Sequence, residues 1–221
     1  MASNWAASAL DWWQEAGVDT IVGEAPRDWL NPKAKDAAPA EAPPAALPET
    51  LEALQDWLAT SPDLPFATPA AARAAPAGDP AAGLMILVDM PAADGGLLSG
   101  EAGLLFDRML GAIGRNRETI YLAALSPIRT ATGAIDEKNA VRLADIARRH
   151  IDLARPKAVL LFGDICGKAL VGAPVAGARG KWHEIGGVKT LVTIRPEKLL
   201  TQPALKTLAW ADLKLLMEAL T

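Results

Sequence analysis

The apolar residues of this chain are concentrated in four short runs, separated by longer amphipathic stretches. The runs are LMILVD (84–89), TIYLAAL (119–125), KAVLLFG (157–163) and VKTLVTI (188–194). Because each run is continuous rather than alternating, it is typical of a strand buried on both faces of a sheet. The remaining stretches predict helices over residues 100–113, 136–154, 164–171 and 203–220. This alternation predicts an α/β fold, a three-layer α/β/α sandwich with a central, mainly parallel sheet of about four strands.

The residues before Leu84 have a different pattern. Residues 1–30 predict an N-terminal helical arm, with a tryptophan-rich helix over 4–16. Ten of the 17 prolines lie between Pro32 and Pro80, so residues 31–83 read as an Ala/Pro-rich linker. One amphipathic segment interrupts this linker and predicts a short helix at 49–59. Residues 84–221 form the predicted main domain.

Charge divides the chain in the same way. Residues 1–83 contain 4 Lys and Arg against 12 Asp and Glu (−8), and residues 84–221 contain 18 against 14 (+4), which together give the formal net charge of −4. A mildly basic domain is a weak indication of nucleic-acid binding, and a solvated basic face explains it as well. The chain has neither a membrane-length apolar run nor a recognisable secretory signal, so we expect a cytoplasmic protein with no membrane contact.

Generic chemical motifs are scarce. The single cysteine, Cys166, excludes an intrachain disulfide and a metal site made of cysteines alone, and we expect its thiol to pack in the interior. His150 lies beside two arginines in a predicted helix, so we expect it at the surface. Asp89 ends the first apolar run, and the carboxyl end of a strand in such a sheet is where a ligand crevice forms.

Seven blocks of sequence, in order, resemble the uracil-DNA glycosylase superfamily, and specifically its bacterial family 4 branch. The blocks are VDMPA (88–92), GEAGLLFDRML (100–110), YLAA (121–124), IDLARPKAVL (151–160), GKWHEIGG (180–187), RPEKLL (195–200) and AWADLK (209–214). The resemblance implies an enzyme that extrudes a base from DNA and hydrolyses the base–sugar bond.

The same resemblance indicates which residues would do this work and how they differ from the family pattern. Asp89 replaces the glutamate of the first motif, and Asp94 is the other nearby carboxylate. Arg195 replaces the histidine that donates a hydrogen bond to the uracil carbonyl, so Asp89, Asp94 and Arg195 are the candidate catalytic residues. Ala124 stands in place of the base-reading asparagine and Leu98 in place of the stacking aromatic residue. With Pro91, these two form the candidate base pocket.

The family's iron–sulfur cluster is not expected here. Ile128 and Leu143 occupy two of the four cysteine positions, and residues 61–64 occupy the approximate place of the other two. One cysteine cannot hold such a cluster, which needs several thiolates. We therefore expect no cofactor and no metal.

A basic segment supports DNA as a partner. Between Lys168 and Lys206 there are seven Lys and Arg residues against two glutamates. The candidate DNA-binding residues are Arg179, Lys181, Lys198 and Leu199. The basic residues would contact phosphates, and Leu199 would act as an apolar wedge, although core packing explains this leucine equally well.

These observations predict a uracil-DNA glycosylase-like, DNA-binding protein of base-excision repair. Loss of the base reader, the stacking residue and the histidine donor predicts that standard uracil excision is weak, altered or lost. Whether the protein is an enzyme at all is left open. The alternative is a non-catalytic interaction module or a nucleotide-binding module on the same fold, and the acidic arm is a candidate surface for a repair-protein partner.

Overall fold

A computed structural model describes Trp12 and residues 46–220 of the chain. In this part, six strands form one sheet in the order β1-β3-β2-β4-β6-β5. The strands are β1 (Ala77–Gly78), β2 (Leu84–Val88), β3 (Tyr121–Ala124), β4 (Ala158–Phe162), β5 (Trp182–Ile185) and β6 (Val188–Thr193). The central strands β3, β2, β4 and β6 are parallel, whereas β1 and β5 pair antiparallel at the two edges.

The sheet confirms the predicted fold class and adds two edge strands to the four expected. The four parallel strands coincide with the four apolar runs. The sequence did not indicate β1 because it has only two residues. It did not indicate β5 because three of its four residues, Trp182 to Glu184, remain partly or fully exposed and form no apolar run.

Helices cover both faces of the sheet. In the described residues they are α1 (Leu51–Thr60), α2 (Gly100–Ala112), α3 (Glu137–Ala154), α4 (Asp164–Cys166, continued by a π-helical turn at Gly167–Val171), α5 (Val175–Ala178), α6 (Pro196–Thr201) and α7 (Lys206–Leu220). Short 3₁₀ turns lie at Pro80–Ala82, Arg117–Thr119 and Pro203–Leu205. None of the helices in this part of the chain combines the length and the apolar character that a membrane span requires.

Alternate residues of the central strand β2 supply two separate cores. Met85 and Leu87 pack with residues of α1 and α3 on one face. Leu84 and Ile86 pack with residues of α2 and α7 on the other face. All four side chains are fully buried, as expected for a strand covered on both sides. This arrangement is the three-layer sandwich.

Residues 46–83 pack against the same sheet. Helix α1 overlaps the short helix predicted at 49–59, and its Leu54 and Leu58 are buried in the core. Strand β1 pairs with β3. The boundaries at residues 30 and 83 remain predictions. Apart from Trp12, whose side chain is exposed, the N-terminal arm and its expected helix lie outside the described residues.

The expectation for His150 is wrong. This residue is 2% exposed on the inner side of α3, where its Nε2 lies 2.8 Å from the hydroxyl of Tyr121. Burial lowers the pKa of the His150 imidazole to about 4. The basic neighbours suggested a surface position, but Arg148 and Arg149 point to other faces of the helix and remain partly exposed.

Candidate functional site

The main cleft lies at the carboxyl ends of the parallel strands. The chain runs from β2 to β3 on one side of the sheet and later to β4 on the other side of β2. A crevice forms at such a reversal, because the connections leave the sheet in opposite directions. Two adjoining depressions of about 390 Å³ and about 300 Å³ occupy this place, and both are lined by Asp89, Gly133 and Arg195.

Asp89 lies at the junction of the two depressions. It follows β2, is 5% exposed, and its Oδ1 accepts a hydrogen bond of 2.7 Å from the backbone N–H of Cys166 at the start of α4. Burial raises the pKa of the Asp89 carboxyl, and the N–H of Cys166 and the charge of Arg195 partly oppose this rise. Asp89 therefore joins the end of β2 to the helix that follows β4.

Gly163 makes this approach of the carboxylate feasible. It ends β4 with a φ of 111°, and a Cβ atom at this position would overlap the carboxyl group of Asp89. Glycine both accepts the left-handed conformation and leaves room for the side chain. Sequence reasoning missed Gly163, although a glycine directly after a buried strand is a usable indication of close approach.

Arg195 reaches the cleft from the end of β6. It is the residue immediately before α6, its side chain is 52% exposed, and its Nη1 lies 3.9 Å from Asp89 Oδ2. The two groups attract each other, but this distance is too long for a hydrogen bond. Arg195 therefore faces Asp89 across the cleft and keeps its donors available.

The larger depression has an apolar floor. Leu98, Phe162 and Pro91 line it and are buried. Leu98 has a φ of 53°, and its carbonyl accepts a hydrogen bond of 2.7 Å from Nη2 of Arg117. This bond helps to hold Leu98 in a backbone conformation that a leucine seldom adopts.

Two predicted site residues lie away from this floor. Ala124 ends β3 opposite Val88, but it does not line either depression. Asp94 is exposed, and its Oδ1 accepts hydrogen bonds from the N–H of Gly96 and the hydroxyl of Ser99. The Ser99 bond lowers the pKa of Asp94, which thus stabilises its own turn as a carboxylate. Ala124 thus lies beside the residue that precedes Asp89 without lining the cleft, and Asp94 is bound within its own turn.

Arg129 is a site residue that the sequence analysis did not identify. It lies in the loop after β3, and its Nη1 donates a hydrogen bond of 2.8 Å to the carbonyl of Pro91. The bond joins the loops that follow β3 and β2, and the side chain lines the larger depression. The sequence did contain an indication of this role, because a basic residue shortly after the second apolar run is expected near the carboxyl ends of the other parallel strands.

The predicted DNA-binding residues have different positions. Lys198 lines the smaller depression, and Lys181 is exposed immediately before β5. Arg179, in contrast, contacts both carboxylate oxygens of the buried Asp212 at 2.9 and 3.2 Å. Leu199 is 1% exposed within the core. The expectation for these last two needs correction, because Arg179 is already paired and Leu199 is not at the surface.

The residues at the expected cluster positions do not fit an iron–sulfur cluster. Ile128, Leu143 and Leu64 are buried together in an apolar core and supply no thiolate. Cys166, the chain's single cysteine, is buried in α4 with its Sγ 3.9 Å from the carbonyl of Leu87. In the described part of the chain, no group of three or more His, Cys, Asp or Glu side chains is placed to hold a metal ion.

Comparison with known families agrees with this fold. The family model of the uracil DNA glycosylase superfamily matches residues 75–214, which extend from just before β1 into α7. The match includes Asp89, Arg129, Gly163 and Arg195, the residues that shape the cleft. It also covers more than half of the 221 residues. The chain therefore belongs to the uracil DNA glycosylase superfamily.

Proposed function

We propose that this protein binds DNA in base-excision repair through the cleft at the carboxyl ends of β2, β4 and β6, and that its standard uracil excision is weak, altered or lost. The observation that carries this proposal is the composition of the cleft. Among the residues that the structure describes, its lining contains Asp89 and Arg195 but no histidine, asparagine or glutamine. These lining residues thus offer no side-chain amide to read a uracil edge.

The position of Asp89 supports the loss of standard chemistry. Hydrolysis of the base–sugar bond needs a group that positions water or stabilises the positive charge on the sugar. In this chain one carboxylate oxygen accepts the Cys166 N–H, and burial raises the pKa of the group. The histidine donor of the family pattern is also replaced, by Arg195. Loss of one donor that stabilises the departing base costs about a hundredfold or more in rate.

An excision assay tests the catalytic part of the proposal. Duplexes containing one uracil, hypoxanthine or xanthine would be incubated with the wild type, Asp89→Asn and the surface control Asp145→Asn, and abasic sites would be detected by alkaline cleavage. We expect slow or absent release of uracil. Any genuine activity should be reduced by Asp89→Asn alone. Rapid, Asp89-dependent uracil release would contradict the proposal.

A binding assay tests the DNA part. We expect an electrophoretic shift of duplex DNA that weakens as salt increases, because phosphate contacts release counterions. Arg195→Glu should weaken the shift further, whereas the charge-matched control Arg115→Glu should not. Absence of binding even at low salt would remove DNA as the partner.

The second candidate is a nucleotide-binding module on the same fold. It is favoured by the place of the 390 Å³ depression at the reversal of strand order, where sheets of this class bind nucleotides. A thermal-shift assay with free nucleotides tests it.

The proposed repair-protein partner of the acidic arm concerns residues outside the described part. The cytoplasmic location remains a prediction that cell fractionation can check.

We further propose that the chain resembles the family 4 branch but has lost its cluster. The support is the apolar core at Leu64, Ile128 and Leu143. Arg73 adds to it by donating hydrogen bonds to the carbonyls of Leu58 and Ser61 at 3.0 and 2.8 Å. Purified protein should therefore contain no stoichiometric iron, and a chelator should not alter its thermal unfolding. Bound iron lost together with stability would contradict this.

A further inference from the structure

Two arginines in the larger depression form no hydrogen bond with a carboxylate of the described residues. Arg195 lies 3.9 Å from Asp89, and Arg129 donates to the carbonyl of Pro91. Other arginines, in contrast, form ion pairs with a carboxylate at 3.1 Å or less, among them Arg117, Arg148, Arg149 and Arg179. The cleft therefore contains guanidinium donors that the described residues do not satisfy with a carboxylate.

The two arginines approach the cleft from opposite sides. Arg129 follows β3 and Arg195 follows β6, and strands β2 and β4 lie between these two in the sheet. Both side chains are exposed. Between them lies the buried apolar floor that includes Leu98 and Phe162. The cleft thus has a cationic rim above an apolar base.

We propose that Arg129 and Arg195 together clamp one phosphate group of a nucleotide whose base lies on the apolar floor. The planar guanidinium fork matches phosphate oxygens in pairs, which makes arginine suited to this task. The inference deepens the proposed function and rests on it where the nucleotide is part of DNA. A free nucleotide presents the same phosphate chemistry.

The carboxylates of the depression are compatible with this clamp. Asp89 is 5% exposed, and one of its oxygens accepts the Cys166 N–H. Burial also raises its pKa, which makes its charged form less favourable. Glu197 is exposed to solvent, so its charge is screened by water and salt.

The salt dependence of DNA binding tests the clamp. A fluorescent duplex with one unpaired deoxyuridine would be titrated with the wild type, Arg129→Gln and Arg195→Gln at several salt concentrations. Each substitution should weaken binding about tenfold and reduce the slope of log K against log salt by about one. Arg115→Gln is the matched control, since Arg115 lies before β3 and therefore at the amino ends of the parallel strands, away from the cleft. An unchanged slope in Arg129→Gln would overturn the proposal.

Two further variants separate a clamp from structural effects. The double variant Arg129→Gln with Arg195→Gln should also lose only about one from the slope, because both groups hold the same phosphate. A loss of about two would overturn the single-phosphate clamp. Arg129→Lys should retain the wild-type slope, since it keeps the charge while changing the bond to Pro91. Circular dichroism would confirm that each variant is folded.

A second experiment distinguishes a phosphate in DNA from one in a free nucleotide. It also separates failure of the clamp from failure of the proposed function. Calorimetry would compare deoxyuridine monophosphate with deoxyuridine. If the wild type does not bind DNA but binds the monophosphate in an Arg129-dependent way, the proposed DNA function fails and the clamp holds a free nucleotide. If it binds neither DNA nor the monophosphate through Arg129, the clamp is overturned.

Discussion

The carboxylate of Asp89 lies so close to the backbone of Gly163 that only a glycine leaves room for it at this position. The carboxylate fills the space in which a Cβ atom would stand, and it accepts the N–H of Cys166 from the helix that follows Gly163. The ends of β2 and β4 are thereby joined by a buried polar contact. The size of the residue at position 163 thus determines where Asp89, the carboxylate that both depressions share among the described residues, can lie.

Gly163→Ala should destabilise the protein more than the same change at a glycine in open space. The comparison is Gly172→Ala, because Gly172 has a φ of 82° but no atom within 4 Å of its would-be Cβ. Gly172→Ala should cost about 1–3 kcal/mol of unfolding free energy through strain. Gly163→Ala should cost more, because its φ of 111° with a ψ of 166° is harder for alanine to adopt and because the new Cβ would overlap Asp89. Urea unfolding measures both. Equal losses would show that the carboxylate moves aside freely.

Helix α7 is attached to the sheet by a buried ionic contact. Asp212 is completely buried, and its carboxylate accepts hydrogen bonds from the Arg179 guanidinium and from the hydroxyl of Thr193 at 2.8 Å. Arg179 also donates to the carbonyl of Leu208. These bonds connect α7, the end of β6 and the segment after α5. The arginine is consequently a structural residue.

Asp212→Ala should be severely destabilising. It leaves the partly buried Arg179 guanidinium without a carboxylate, and breaking a buried ion pair in this way costs about 3–5 kcal/mol. The comparison is Asp145→Ala, which breaks the exposed Arg148 pair and should cost at most about 0.5 kcal/mol. Chemical denaturation distinguishes the two. Similar losses would contradict the structural role of Arg179.

A second polar contact joins α1, β3 and α3. The hydroxyl of Tyr121 accepts a hydrogen bond from Gln55 Nε2 and lies 2.8 Å from His150 Nε2. Both Tyr121 and His150 are 2% exposed. Burial keeps the imidazole neutral and lowers its pKa to about 4. The protonation of one residue is therefore coupled to the packing of three elements.

The stability of this packing should depend on pH. The His150 imidazole has a pKa of 6.5 in the unfolded chain and of about 4 in the folded chain. The stability that the buried neutral imidazole contributes is therefore fully present above pH 6.5 and is lost as the pH falls from 6.5 to about 4. The expected loss is roughly 3 kcal/mol over this interval. The measurement is urea unfolding at several pH values, relative to His150→Gln. A difference that does not vary with pH would refute the buried neutral histidine.

At the scale of the whole molecule, residues 46–83 are part of the packed structure. Leu54 is fully buried and Leu58 is 4% exposed, and both lie in the core between the sheet and α3. Arg73 and Ile128 form a β-bridge that adds a backbone link to the loop after β3. Proline-rich composition indicated a linker, but it carries no information about which apolar residues find a partner surface.

Leu54→Ala should therefore destabilise the whole domain. A buried leucine truncated to alanine costs about 2–5 kcal/mol through lost burial and the cavity that remains. Leu104→Ala serves as the control, since Leu104 is 63% exposed and its loss should change stability by no more than about 0.5 kcal/mol. Thermal and chemical unfolding, followed by a signal that reports on the sheet, measure the loss of stability in both variants. A small effect of Leu54→Ala would mean that α1 unfolds separately.

The candidate site was only partly predictable. Asp89, Pro91, Leu98 and Arg195 were identified from their place at strand ends and from the resemblance, and all four line the larger depression. Arg129 was missed because its bond to Pro91 joins residues 38 positions apart. Arg179 was assigned to DNA because the sequence does not show that Asp212 lies beside it.

The sequence by itself determined where the four parallel strands and the main helices follow one another along the chain, the three-layer fold and the superfamily, because apolar runs and helical periodicity are local properties of the chain. Only the tertiary structure decided which polar groups meet. The contacts of Asp89 with Cys166, of Arg129 with Pro91 and of Arg179 with Asp212 join residues that are 77, 38 and 33 positions apart. Such contacts depend on strand order and burial, since these bring distant side chains into a shared, water-poor environment where pairing becomes obligatory.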